Sequence, residues 1–233
     1  MDADGFVTVL PRGKRKKALN RSVFSCSSSA PSSSVYLVKI VNWESRFCQF
    51  TDELQASRLL AHLIYELEVL FAHKNRSVDV VCYALGNFHS SQVATYQLAL
   101  IELLRRQSFF SDSIAVYDPV FEQEEKDRLR AIGWNVIDVY ESGHRKVTKP
   151  TFFFMPYCPL TLLNNVIVAN GNDQLQNLTL FCVSLKATAA NLTKHMQETL
   201  ADICLAAEVS QEHYLTFPPD ARLKFPEEQL HQR

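Results

Sequence analysis

The stretch Ser77 to Arg106, SVDVVCYALGNFHSSQVATYQLALIELLRR, brings together residue types able to hold an anion. An apolar run ends at Gly86, a polar turn follows, and an amphipathic pattern begins near Ser91. Gly86 can adopt a positive φ and let a phosphate or an adenosine approach the backbone, while Asn87, Ser90 and Ser91 add donors where a helix starts. One glycine is a third of the full dinucleotide fingerprint, and Ala84 closes a second place of close approach. The same residues also suit a tight strand-to-helix turn with a serine cap.

Asp118 is the second candidate. It ends a predicted strand, where a carboxylate could accept hydrogen bonds from ribose hydroxyls, but it lies 32 residues after Gly86 rather than about 20. Preceding Pro119, it equally suits an extended turn that caps the next segment. Glu141 ends the following strand and adds an acid on the same side. Pro156-Tyr157-Cys158-Pro159 follows a further strand, so Tyr157 and Cys158 are expected at that crevice too, with His89 as a potential base for the thiol. The candidate small-molecule contacts are therefore Gly86, Asn87, Ser90, Asp118, Glu141 and Tyr157. The basic run His144, Arg145, Lys146 and Lys149 reads as a solvated loop.

These residues need a scaffold, and the periodicity supplies one. Leu59, Leu60, Leu63, Ile64, Leu67, Leu70 and Phe71 predict a helix over Asp52 to Ala72. Val78 to Leu85 is an almost continuous apolar run, as in a strand buried on both faces. Ser113 to Tyr117, Trp134 to Tyr140, Thr151 to Met155 and Leu178 to Val183 give four more strands. Helical patterns fall between them, over Ser91 to Arg106, Glu122 to Ile132 and Leu160 to Asn170, and a last helix spans Asn191 to about Glu208. Such alternation predicts an α/β, Rossmann-like, doubly wound and mostly parallel sheet of about five strands with flanking helices. Gly86, Gly133, Gly143 and Gly171 each fall at a predicted turn or helix end.

With 233 residues, 47% of them hydrophobic, the chain can bury one large core. The expected organisation is a disordered tail over residues 1–34, one Rossmann-like domain over 35–217 and a C-terminal tail over 218–233. The net charge of -1 gives no global case for nucleic acid. Residues 1–34, however, hold six basic side chains against Asp2 and Asp4, and eight serines lie between Ser22 and Ser34. The cluster from Arg12 to Arg21 reads as a nuclear-localisation or RNA-contacting patch, or as a solvated basic arm. It is the one nucleic-acid contact the sequence suggests. No apolar stretch is long enough to span a bilayer and none resembles a signal peptide, so a cytoplasmic or nuclear protein is expected. The six cysteines are scattered, without a zinc or redox spacing. No metal site and no catalytic residue is assigned.

The segments YALGNF, YQLALIELL, VYDPVFEQEE, IGWNV, FFFMPYCP and TLLNNVIVAN, in this order, resemble the SRR1-like (SENSITIVITY TO RED LIGHT REDUCED) family. The resemblance covers Val78 to Asn170 well and extends more loosely to about Pro226. It implies a regulatory protein linked to circadian-clock input, with a link to haem biosynthesis in some animal members, and no established catalysis. Two positions depart from the family pattern: Ala84-Leu85-Gly86 replaces a Gly-x-Gly turn, and Tyr157 replaces a histidine in Met-Pro-His-Cys. Two functions stay open. One is a regulator acting through protein partners; the other is an S-adenosylmethionine-dependent methyltransferase-like or other nucleotide-binding enzyme. Haem, with a His or Cys axial ligand, is a further cofactor to test.

Overall fold

A central strand must satisfy two apolar faces at once, and Val78, Val80, Val81 and Cys82 do so with almost no exposed surface. They belong to β1 (Val78–Tyr83). The computed structural model describes residues 42–72, 77–215 and 228–232. The Ser-rich tail, with its Arg12 to Arg21 cluster, and residues 218–227 of the C-terminal tail lie outside them.

In chain order the elements are α1 (Trp43–Gln55), α2 (Arg58–Phe71), β1, α3 (Gln92–Arg105), β2 (Phe110–Tyr117), α4 (Gln123–Ala131) and β3 (Asn135–Val136). There follow β4 (Thr151–Phe154), α5 (Leu160–Gln174), β5 (Leu178–Val183), α6 (Leu185–Asn191), α7 (Lys194–Thr199), α8 (Ala201–Val209), β6 (Gln211–Tyr214) and β7 (Glu228–Gln232). The strand order is β3-β2-β1-β4-β5-β7-β6. The first five strands are parallel, with Val80 opposite Ile114 on β2 and Phe152 on β4, and Phe152 opposite Thr179 on β5. Chain direction across the sheet reverses between β1 and β4, the switch point at which doubly wound proteins bind ligands.

Two apolar layers follow from the period of two along the strands. Val80, Cys82, Ile114, Val116, Phe152, Phe154 and Phe181 face one side, where α1 to α4 contribute Leu54, Leu63, Leu100 and Leu129. Val81, Tyr83, Phe153, Leu180 and Cys182 face the other, against Leu163 and Val166 of α5 and Ile203 of α8.

The structure differs from the sequence expectation at four places. The helix expected over Asp52 to Ala72 is two helices, because Ser57 turns out of the helix and caps α2 through Oγ, which accepts from the Leu60 amide at 3.2 Å. The strand expected over Trp134 to Tyr140 is only two residues long. As an edge strand it has one neighbour, and Val139 and Tyr140 leave the sheet for solvent. The helix expected over Asn191 to about Glu208 is two, α7 from the Thr193 cap and α8 after the turn at Leu200, and a further helix, α6, capped by Ser184, precedes them. Finally, β7 pairs antiparallel with β5 and β6 with β7, so residues 228–232 of the expected tail belong to the sheet.

The connection from β3 to β4, residues 137–150, contains no helix. It is pinned to α5 instead. Asn170, buried, donates from Nδ2 to the carbonyls of Arg145 at 3.0 Å and Val166 at 2.8 Å, and its Oδ1 accepts from the Val147 amide at 2.8 Å. Asn165 donates to the Ser142 carbonyl at 2.8 Å. Gly143 makes this approach possible: its φ is +80°, and a Cβ there would lie 2.8 Å from the Leu162 carbonyl oxygen. Gly133 has a similar φ of +88° but open space around it. Gly133→Ala should therefore cost the left-handed backbone term alone, about 1 kcal/mol, and Gly143→Ala a further ~1–3 kcal/mol from the clash. Urea denaturation of the two variants measures the difference. Equal losses would mean that the connection does not lean on α5 as described.

Candidate functional site

The turn after β1 presents the backbone amides of Gly86, Phe88 and His89 to side-chain acceptors. Ala84 has a φ of +57° and Gly86 one of +83°, which turns the chain sharply before α3. Ser91 caps that helix, its Oγ accepting from the Ala94 amide at 3.2 Å. This geometry gathers free N–H groups of the kind that bind phosphate.

Two internal carboxylates take those groups. Asp118, at the end of β2, accepts from the Gly86 amide through Oδ2 at 2.8 Å and from the Val120 amide through Oδ1 at 2.9 Å. Glu125, in the first turn of α4 and with no exposed surface, accepts through Oε1 from the Phe88 amide at 2.7 Å and the His89 amide at 3.2 Å. Its Oε2 accepts from the Glu122 amide at 3.0 Å, closing a capping box. Asn87 and Ser90 serve each other: Oδ1 of Asn87 accepts from both the amide and the hydroxyl of Ser90, at 2.8 Å each. A phosphate on this turn would have to displace a carboxylate from most of its donors. The residues present do not fit such a group.

The structure thus joins Gly86 to Asp118, as the strand-end reasoning expects, but the bond is internal. Glu141 lies elsewhere. It sits on the opposite face of the sheet in the helix-free connection, where its Oε2 accepts from the Tyr83 hydroxyl at 2.6 Å. Arg145 grips the same carboxylate with Nε to Oε2 at 2.9 Å and Nη2 to Oε1 at 2.8 Å. Burial, then the hydrogen bond to Glu141, push the Tyr83 hydroxyl pKa well above its ordinary 10.0. Burial opposes the Arg145 charge, yet hydrogen bonds and charge from Glu141 and Tyr83 outweigh it and hold the guanidinium above its ordinary value. Burial, with the Asp118 charge adding to it, raises the Cys82 thiol far above its usual range, so this cysteine is no nucleophile.

Tyr157 lies in the turn three residues past β4, exposed, in a left-handed conformation with φ of +57°. Cys158 packs into the layer with α5, while the His89 ring stacks on Trp43 of α1 at 4.8 Å, beside the other layer. The thiol and the imidazole are thus on different sides of the sheet, which leaves no Cys-His pair. Among the described residues no three His, Cys, Asp or Glu side chains converge as metal ligands.

Glu125 is the residue that sequence reading passes over, as one acid in an acidic helix cap. Its spacing holds the signal. Phe121, Glu125 and Leu129 recur every fourth residue, and the outer two are buried, so Glu125 shares the inward stripe.

The strand order and this strand-end geometry define a Rossmann-like α/β protein whose phosphate-type turn is filled from within. The SRR1 domain model matches residues 51–231, and the chain belongs to that family. It is 35% identical over 106 residues to Protein SENSITIVITY TO RED LIGHT REDUCED 1 of Arabidopsis thaliana, covering 45% of this chain and 38% of that protein. It is 40% identical over 95 residues to an SRR1-like protein of Mus musculus, covering 40% of this chain and 38% of that protein. With an SRR1-like protein of Drosophila melanogaster it shares 28% over 157 residues, 65% of this chain and 56% of the fly protein. The aligned region is thus well under two thirds of the length of these relatives. No solved structure matches the chain.

Two outcomes test the site. Glu125→Gln should lower stability by about 1.5–3 kcal/mol, since one acceptor becomes a donor facing backbone amides. Ala84→Gly, which relieves a left-handed alanine, should be neutral or gain up to ~1 kcal/mol; equal behaviour of the two in urea would refute the amide-filling role of Glu125. For pH, the folded chain holds the Tyr83 proton more tightly than the unfolded chain does. The resulting stability is complete below pH 10.0, the ordinary value, and is lost as pH climbs above it. Urea midpoints measured from pH 8 to 11 should fall less steeply above pH 10 in Tyr83→Phe than in the native chain.

Proposed function

We propose that this protein is a non-enzymatic regulator that acts through protein partners, in circadian-clock input and in the control of haem biosynthesis. Its place of action in this reading is the cytoplasm or the nucleus. One observation carries the choice of regulator over enzyme: Asp118 and Glu125 occupy the amides of Gly86, Phe88 and His89 that a nucleotide phosphate, or the carboxylate of S-adenosylmethionine, would need. The red-light sensitivity in the name of the Arabidopsis relative is consistent with an input role, since light is the usual signal that sets a clock. The haem link rests on the family resemblance.

The competing reading is methyl transfer from S-adenosylmethionine, which needs chiefly an oriented donor and acceptor. Calorimetric titration of the purified chain with S-adenosylmethionine, its demethylated product, nicotinamide dinucleotides and haem separates the two. The expected result is no binding by the first three at millimolar concentration. Binding of S-adenosylmethionine that disappears in Gly86→Val or Asp118→Ala would overturn the regulator reading in favour of the enzyme.

A further inference from the structure

In a doubly wound sheet each crossover normally lays a helix on a face. Here α3, α4 and α5 do so for β1 to β2, β2 to β3 and β4 to β5, while the β3 to β4 connection carries none. The face of β2 that shares a side with Val81 is left without a helix over it, and the returning segment Arg145–Lys149 runs alongside it before joining β4. Between them lies a cleft of about 330 Å³. That volume is at the lower end of small-molecule sites.

The walls are held in place from several directions. Asn170 fixes the backbone of Arg145 and Val147, Glu141 grips the Arg145 guanidinium, and Lys149 pairs with Asp79 at 2.8 Å. The cleft is thus formed in advance of any ligand. Its lining is polar where a core would be apolar: Ser111 and Ser113 from β2, Asn135 from β3 and Thr148 from the connection surround Ala115 and Val81. The charges are unequal as well. Asp79 answers Lys149 and Glu141 answers Arg145, which leaves the Lys146 ammonium without a carboxylate among the described residues. A compact ammonium beside hydroxyl and amide donors is suited to a phosphate group, and further hydroxyl acceptors and donors are suited to a polyol.

We propose that this cleft binds a small phosphorylated polyol or sugar, with its phosphate at Lys146 and its hydroxyls against Ser111, Ser113 and Asn135. The site is distinct from the turn at Gly86 and independent of the regulator reading. It lies on the opposite side of the sheet from the layer that α3 and α4 cover.

Ribose 5-phosphate serves as the probe, titrated calorimetrically into the full chain at low ionic strength, with ribose and inorganic phosphate as its two halves. The intact probe should bind more tightly than either half. Lys146→Glu should weaken it at least about tenfold, equivalent to 1.4 kcal/mol. Ser113→Trp, at an exposed lining position, should abolish binding by filling the cleft, and Lys194→Glu, a charge reversal at an exposed position of α7, should leave it unchanged. In amide chemical-shift mapping the probe should move Ser113, Asn135 and Lys146. No heat at millimolar probe, native-like binding by both cleft variants, or shifts confined to residues 86–91 would each overturn the proposal. Sensitivity to Lys146→Glu without amide shifts at residues 86–91 also distinguishes this site from a nucleotide bound at the switch point.

Discussion

Two buried carboxylates set against a turn of backbone amides hold the strand ends together. A buried charge is costly unless it is fully hydrogen-bonded, and charge-assisted bonds from amides are about the strongest answer a backbone offers. Asp118 ties the end of β2 to the end of β1, and Glu125 ties the start of α4 to the start of α3. The loops that a nucleotide would bridge in a ligand-binding relative of this fold are here bridged by the chain itself. The motifs of the family are thus partners in space. The glycine turn meets the acids of VYDPVFEQEE, and Glu102 of YQLALIELL accepts from the Trp134 indole of IGWNV at 3.1 Å.

The opposite side of the sheet solves a different problem by similar means. Where a crossover helix is missing, its hydrogen bonds and packing must be replaced, and side chains of α5 replace them. Asn165 and Asn170 supply polar partners for a helix-free connection, and Gly143 lets it come close. Tyr83, Glu141 and Arg145 lock its upper end over β1. The asparagines of TLLNNVIVAN thus have structural employment, and their side chains explain that motif better than any chemistry does.

The parallel core was legible because continuous apolar runs such as VDVVCY and TFFFM have one good explanation, burial on both faces. Turns were legible from glycine, and Ser91 marked the start of α3 correctly. The edges were not. β3 was legible as a strand but not in its length, whereas QEHY and EQLHQ carry no apolar stripe, so nothing local marks those two as strands; their pairing is set by what lies beside them. Gly86 and Asp118 were brought together by strand-end reasoning alone, whereas Glu141 was misplaced because a strand expected to run to Tyr140 stops at Val136. A sequence lists acids; it does not say which amide each one faces. The cleft beside Lys146 is invisible at that level, since it arises from an absent helix.

The placement of β7 bears on how the molecule is built in time. β6 precedes β7 along the chain, yet β7 is inserted between β5 and β6. When β6 emerges during synthesis it has no place in the sheet, because the strand that must separate it from β5 has yet to be made. Until residues 228–232 arrive, the outer edge of β5, LTLFCV, offers unpaired backbone along an apolar strand. Such an edge is the kind that recruits strands from other nascent chains. A chain synthesised only as far as residue 227 is therefore at greater hazard of aggregation than one in which Glu228–Gln232 has paired with β5.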